Sequence, residues 1–310
     1  MENSITVDGI SKRFGDYIAL HELDFTVKPG EIFGFIGADG AGKTTLFKIL
    51  TTLLRMDSGK ASICGFDVES DFREIRKIIG YMAGKFSLYG DLSVEENLKF
   101  FARIFDSSLE ANYELIRDIY VLLEPFKKRR ANDLSGGMKQ KLALCCALIH
   151  KPQALFLDEP TTGVDPVSRQ EFWQNLKTVA KEGITTIVST PYMDEARQCD
   201  RVALIQDGRI LKIDTPQKII ADFPKAIIVL QTSSNRNQLM HELRKLPAAE
   251  SVFSFGESIH ITCEPGIETQ LMKKIKETAG FVISFPDKAE ADIEDCFLYY
   301  MQRDHGKSNH

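Results

Sequence analysis

The 310-residue chain lacks any apolar run long enough to span a bilayer: the longest, LALCCALI at 142–149, falls far short of the roughly 20 residues a crossing helix needs. It is expected to be soluble or peripheral. The first residues, MENSITVDG, have neither a basic start nor an apolar core, so nothing in them directs secretion. The six cysteines include no CxxC pair, and none stands at metal-ligand spacing from a histidine. That points away from a zinc module and toward a reducing cytoplasm. Cys145 and Cys146, inside the apolar run, read as small buried hydrophobes. A large excess of either charge is missing too: the net charge is -5, which argues against a role in coating nucleic acid. No nucleic-acid partner is expected. The one basic run, Lys127-Lys128-Arg129-Arg130, reads as a solvated face, and no short-period repeat is visible.

What is present is enough hydrophobic residue, 43% of the chain, to bury one large core and a smaller one. Strand-like runs open the sequence: ITV, YIALHELDFTV and EIFGFIG, the last a buried-type strand ending in glycine. A glycine-rich loop and a helix, KTTLFKILTTLL, come next. A polar, helix-rich stretch spans about 91–151, opened by SVEE, in which Ser93 and Glu96 have capping-box spacing. Strands and helices then alternate through ALFLD, RQEFWQNLKTVAKEG and ITTIVST, the pattern of a parallel sheet with helical crossovers. In VALIQDGRILKI, Asp207-Gly208 between apolar runs predicts a hairpin. After Pro224 the pattern restarts as AIIVLQT, QLMHELRKL, SVFSF, SIHITC, TQLMKKIKETAG and FVISF, a β-α-β-β-α-β unit of about 85 residues. A domain boundary is expected near Phe223 to Lys225.

The stretch GADGAGKTT, comprising Gly37, Ala38, Asp39, Gly40, Ala41, Gly42, Lys43, Thr44 and Thr45, matches G-x-x-x-x-G-K-[ST] between an apolar strand and a helix. Glycines let successive backbone N–H groups close around phosphate oxygens. The helix start adds partial positive charge, Lys43 reaches the terminal phosphates, and the Thr44 hydroxyl can bind Mg²⁺. ALFLDEP then brings Asp158 and Glu159 to the C-terminal end of a buried strand, where parallel sheets place ligands. Asp158 suits the Mg²⁺ shell and Glu159 suits polarising the attacking water. LSGGMKQKL adds a second anion-seeking helix start at Ser135, Gly136 and Gly137. One nucleotide cannot easily use two such loops about 90 residues apart in one monomer. A head-to-tail dimer is therefore implied.

Together the phosphate loop, LSGGM, LFLDEP and GVDP resemble an ABC transporter ATP-binding subunit over roughly residues 4–222. FSLYGDLSVEENL, YMDEARQCDRVALIQDGRI and the terminal ADIEDCFLYY are most similar to ATPases of ABC-2 type exporters, the drug-resistance and YbhF-like group. The resemblance implies an α/β P-loop NTPase (ABC ATPase) fold with an N-terminal antiparallel β subdomain and an inserted helical subdomain, plus a small C-terminal α+β domain. The domains would be 1–223, 225–303 and a tail at 304–310. It implies ATP and Mg²⁺, a separate ABC-2 type membrane permease, and a second ATP-binding subunit, with the chain peripheral on the inner face of the cell membrane. By position, Phe14 would stack on adenine, Ser135, Gly136, Gly137 and Met138 would form the signature that acts across the dimer, and Asp165 would be the D-loop acid. Phe86, Leu88 and Tyr89 would lie near the groove for the permease's coupling helix, or be ordinary core.

The chain departs from the family pattern at three places. Ala83 and Gly84 stand where a Pro-Gln pair is normal, Asp39 stands where Asn or Ser is usual, and Pro191 stands at the switch histidine. Gly84 offers only backbone, and proline has neither a side-chain donor nor a titratable group. Asp39 would weaken polyphosphate binding, or face solvent or an interface. Pro191 is expected to open a helix with Thr190 as its cap, and Tyr192 is a poor substitute for the histidine. The reading is an ATPase motor of an exporter whose own site is degenerate. A non-transport ABC ATPase switch or a nucleotide-binding regulator without turnover is the alternative.

Overall fold

The computed structural model describes residues 3–85, 87–277, 281 and 286–307. One compact unit ends at Pro216, with Arg303 onward also belonging to it, and a second covers Gln217–Gln302. In the first, strands β1 (Ile5–Phe14), β2 (Tyr17–Val27) and β3 (Ile32–Ile36) lead to helix α1 (Lys43–Leu50). Then come β4 (Ser58–Ile63), β5 (Phe66–Asp67), α2 (Phe72–Ile78) and β6 (Ile79–Met82). Helices α3 (Val94–Ile104), α4 (Tyr113–Tyr120) and α5 (Gly136–Leu148) form the inserted helical region. It is followed by β7 (Ala154–Asp158), α6 (Pro166–Lys181), β8 (Thr185–Thr190), β9 (Arg201–Gln206) and β10 (Arg209–Asp214).

Two sheets result. β2-β1-β4-β5 is antiparallel throughout. The six-stranded sheet runs β10-β9-β3-β8-β7-β6, parallel except for the β9–β10 pair. β3 and β7 are buried at every residue, which is why IFGFI and ALFLD show no polar alternation: central parallel strands are covered on both faces. A chain of phenyl rings ties the layers together. Phe25 of β2 meets Phe35 of β3 at 5.0 Å, Phe35 meets Phe47 of α1 at 6.0 Å, and Phe47 meets Phe156 of β7 at 5.9 Å. Burying each ring contributes roughly 1.5–3 kcal/mol.

Local signals set the element ends. Ser93 and Glu96 form the capping box of α3, with Glu96 N–H donating to Ser93 Oγ at 3.2 Å and Ser93 N–H to Glu96 Oε2 at 2.8 Å. Asp207 and Gly208 turn the β9–β10 hairpin with φ of 47° and 70°, as a type I′ turn demands. Gly208 is also gripped from both sides: its N–H donates to the Ala41 carbonyl at 3.1 Å, and its carbonyl accepts from His21 N–H at 2.9 Å. A Cβ there would strike the Ala19 carbonyl. An apolar cleft of 490 Å³ lies between β6 and helices α3 and α5, lined among others by Tyr81, Met82, Leu88, Phe101 and Ile104. Among the described residues, no helix is long and apolar enough to cross a membrane.

The second unit begins in α7 (Pro216–Ala221), followed by β11 (Ala226–Gln231), α8 (Arg236–Leu243), β12 (Ser251–Phe255), β13 (Ser258–Cys263) and α9 (Glu268–Lys276). β14 (Asp287–Ala289) and α10 (Ile293–Lys307) complete the elements. Its antiparallel sheet has the order β12-β13-β11-β14, and Ile228, Leu239, Ile259 and Leu271 form its core. The expected final strand FVISF lies, apart from Phe281, outside the described residues; the strand seen beside β11 is β14. α10 takes in residues 304–307, which the sequence reading assigned to a tail. Its start is fixed by a reciprocal cap, in which Asp292 N–H donates to Asp295 Oδ2 and Asp295 N–H to Asp292 Oδ1, each at 3.0 Å.

His260 of β13 bonds Asp295 across this unit, Nδ1 to Oδ1 at 2.9 Å. Burial lowers the histidine's pKa, but the Asp295 hydrogen bond and the charges of Asp295, Asp292 and Glu294 outweigh it, so the net shift is upward from 6.5. A group whose folded pKa is raised stabilises fully below its unfolded pKa and loses that contribution as pH rises through the folded value. His260→Gln is therefore expected to cost about 1–3 kcal/mol at pH 6 and progressively less as pH rises through the raised folded value. Amide exchange in β13, compared between the two chains across pH 6 to 9, measures this. A cost independent of pH would contradict it.

Candidate nucleotide site

The phosphate loop leaves β3 at Ile36 and enters α1 at Lys43. Its glycines are required by space as well as by torsion. A Cβ on Gly37 would strike the Ile205 carbonyl, and one on Gly42, at φ 98°, would come within 2.7 Å of the Ala19 oxygen. Ala38, Asp39 and Gly40 are exposed at the loop tip, while Ala41 is buried. Gly42 gives α1 no side-chain cap, so the helix's first N–H groups stay available to an anion. Thr44 is exposed and Thr45 half-buried on the first turn.

Lys43 is buried at 3% exposure, which a lysine tolerates only when its ammonium is satisfied. Its Nζ donates to the Gly37 and Ala38 carbonyls at 2.8 and 2.9 Å and lies 3.5 Å from Glu159 Oε1. The lysine and the carboxylate thus face each other between the ends of β3 and β7. Beside them Asp158, 2% exposed, accepts a 2.6 Å hydrogen bond on Oδ1 from Ser189 Oγ. Among the described residues nothing donates to its other oxygen. Glu159 turns out of the strand with φ of 50°, a left-handed conformation that costs a non-glycine residue roughly 1–2 kcal/mol. Its N–H is held by Ser189 twice, at 3.0 Å to the carbonyl and 3.0 Å to Oγ.

Two of the departures from the family pattern, at Gly84 and Pro191, border this group. A Cβ on Gly84 would lie 3.2 Å from the Asp158 carbonyl oxygen and 3.8 Å from its Cγ, so a side chain there would stand beside the Asp158 carboxylate. Pro191 follows Thr190, whose carbonyl accepts from Gly37 N–H at 3.3 Å. The expectation that Pro191 opens a helix needs correction. The helical turn is 3₁₀, spans Met193–Gln198, and has Tyr192 at its cap position. Thr190 Oγ1 does accept from Tyr192 N–H at 3.1 Å, but this closes a short turn around the proline and defers the helix by two residues. Tyr192 points to α6, its ring 4.1 Å from the Arg169 guanidinium. The guanidinium covers the ring there.

The signature residues form a separate cluster. Ser135 caps α5 by accepting from Met138 N–H at 3.3 Å, and a Cβ on Gly137 would meet Ser168 Oγ at 2.8 Å. Asp165 caps α6 in the same way, accepting from Ser168 N–H at 3.0 Å. LSGGM and GVDP therefore pack on one another, while the phosphate loop gathers Asp158, Glu159, Gly84 and Pro191. Phe14 ends β1 half exposed, with Lys12 Nζ 5.7 Å from its ring, a face available for stacking. Leu88 lines the apolar cleft. Tyr89 is exposed and packs edge-on against Phe100 at 4.7 Å, and Phe86 lies outside the described residues.

Three residues escaped the sequence reading. Ser189 joins Asp158 and Glu159 from a strand about 30 residues away, with no local pattern to reveal it. Tyr81 lines the cleft, and burial together with the Asp158 charge pushes its phenol up to about 12. Arg169 grips Glu195 at 3.0 Å besides Tyr192.

This arrangement fits a Mg²⁺-nucleotide. No three His, Cys, Asp or Glu side chains among the described residues gather for a metal, so a cation here would share phosphate oxygens with Thr44 and Asp158. That sparse protein ligation suits Mg²⁺. The family model described as ABC transporter matches residues 20–162. The Nod factor export ATP-binding protein I of Rhizobium sp. (strain N33) is 34% identical over 298 residues, covering 95% of this chain and 96% of the relative.

The chain belongs to the ABC transporter ATP-binding family.

A second relative, the probable multidrug ABC transporter ATP-binding protein YbhF of Escherichia coli (strain K12), is 42% identical over 222 residues, 71% of this chain. The match spans only 38% of that relative's length. Among solved structures, a dimeric ATP-binding cassette in a post-hydrolysis state, bound to ADP and Pi, superposes with a TM-score of 0.61 at 25% identity. It covers 68% of this chain and 98% of the other. The fold is that of a P-loop ATP-binding cassette, with the inserted helices and antiparallel sheet described above.

Proposed function

We propose that this cassette is the ATP-binding and hydrolysing motor of an ABC-2 type export system, acting at the inner face of the membrane on a separate permease. The carrying observation is the meeting of Lys43, Asp158 and Glu159 at the ends of β3 and β7. Thr44 and Asp158 would hold Mg²⁺, which when bound neutralises charge on the transferring phosphate. Lys43 swings from the loop carbonyls to the terminal phosphates, and Glu159 polarises the attacking water. Phe14 stacks on adenine. Ser135 to Met138 and Asp165 act across a head-to-tail dimer on the nucleotide of a second ATP-binding subunit, identical or not. The 490 Å³ apolar cleft supports docking of a permease helix. Residues 225–303 serve as an accessory domain to the ATP-binding domain at 1–223.

The cassette's own site is slow in this reading. Gly84 contributes no amide beside Asp158, and Pro191 contributes no imidazole beside the phosphate loop. The signature loop lacks neither its serine nor its glycines. It therefore completes a faster site on the partner cassette.

Single-turnover hydrolysis by the purified chain, alone and mixed with a second cassette carrying the glutamine and histidine, tests the proposal. The chain alone is expected to cleave its bound ATP slowly, and the mixture to turn over repeatedly. Rapid multiple turnover by the chain alone would sink the asymmetric arrangement. Binding without cleavage in every mixture would favour a regulator.

A further inference from the structure

We infer that Ser189 is a positioning residue that makes the site select Mg²⁺ over larger cations, by holding the Asp158 carboxylate so that only one oxygen faces the metal. The inference rests on the ATP–Mg²⁺ reading above. Ser189 is fully buried in β8, so its hydroxyl has one fixed environment. Its proton goes to Asp158 Oδ1 at 2.6 Å, and its lone pair accepts from Glu159 N–H at 3.0 Å. One hydroxyl thus fixes both carboxylate-bearing residues of the site. It spends one Asp158 oxygen on itself and leaves the other open.

The coordination chemistry of the two common divalent cations gives this its consequence. Mg²⁺ demands near-octahedral geometry at about 2.0–2.1 Å, whereas Ca²⁺ accepts six to eight oxygens and bidentate carboxylates at about 2.3–2.6 Å. A carboxylate with one oxygen held by a short hydrogen bond offers a single-oxygen ligand, which suits the first and withholds only the bidentate mode from the second. Freed of that bond, Asp158 can rotate and offer both oxygens. Ser189 also contributes two of the anchors for Glu159's left-handed backbone. The carbonyl anchor survives any side-chain change, so the metal effect separates from the placement of Glu159.

The test is binding of a fluorescent ATP analogue to the full chain while Mg²⁺ or Ca²⁺ is titrated. Ser189→Ala is expected to weaken the Mg²⁺ dependence by about 10–100-fold, the usual effect of losing a residue that orients a metal ligand. The Ca²⁺ dependence is expected to move by less than about threefold. Ser189→Thr, which keeps the hydroxyl, is expected to keep the wild-type ratio. Should the alanine chain fail to fold, Ser189→Cys, nearly the same size and a weak donor, carries the comparison. An equal loss for both cations, or none for either, overturns the inference. Failure of the underlying reading looks different: Lys43→Ala would then bind the analogue as tightly as the unaltered chain.

Discussion

Installing Pro191→His together with Gly84→Gln is expected to raise ATP hydrolysis at this chain's own site by about 10²-fold or more. A positioned acid or base contributes roughly 10²–10⁴-fold and a transition-state donor roughly 10²–10³-fold. The two gains overlap, because groups acting on one phosphate are not independent. The structure can accommodate both. Gly84 is exposed, and its new Cβ would need a few tenths of an ångström from the Asp158 carbonyl 3.2 Å away. Pro191 stands in a turn before the helix, and the bond from Tyr192 N–H to Thr190 Oγ1 does not depend on the proline. Phosphate release in a single turnover measures the gain. A rate within twofold of the unaltered chain would mean that the missing amide and imidazole are not what limits this site.

The opposite change should be as large. Glu159→Gln is expected to lower hydrolysis by about 10²–10⁴-fold and to leave ATP affinity within a few-fold. Glutamine keeps the volume and the polar tip but cannot take up the proton of the attacking water. Lys43 would lose an ion pair at 3.5 Å but keep its two carbonyl partners. The backbone turn at 159 stays anchored by Ser189. Rate and affinity should be read in the unaltered chain and again beside Pro191→His and Gly84→Gln, where the faster baseline makes the loss easy to see. Unchanged turnover in that background would strip Glu159 of its assigned role.

Legibility followed the range of the interaction. The phosphate loop could be read because every part of it, strand, glycines, lysine and helix, lies within a dozen residues and its torsional needs dictate glycine. The α3 capping box and the Asp207-Gly208 turn were readable for the same reason. Ser189 was not: its two partners come from a neighbouring strand, and nothing in VSTP distinguishes a hydroxyl that orients a carboxylate from one that ends a strand. The helix after Pro191 was misjudged because Thr190 caps the turn around the proline before any helix begins. The terminal helix ran past its expected end because α10 is started by the paired caps of Asp292 and Asp295 and meets no glycine before Gly306. Arg169 is a cross-element grip of the kind a single sequence does not display.

The tip of a β-hairpin is ordinarily where a protein tolerates change best, because it hangs in solvent and touches little. At Gly208 that freedom is gone: the tip is clasped by β2 on one side and by the phosphate loop on the other. The antiparallel sheet, the hairpin and the phosphate loop therefore share a single seam of backbone hydrogen bonds. An insertion at this outwardly unremarkable turn would therefore disturb the backbone of the phosphate loop from behind.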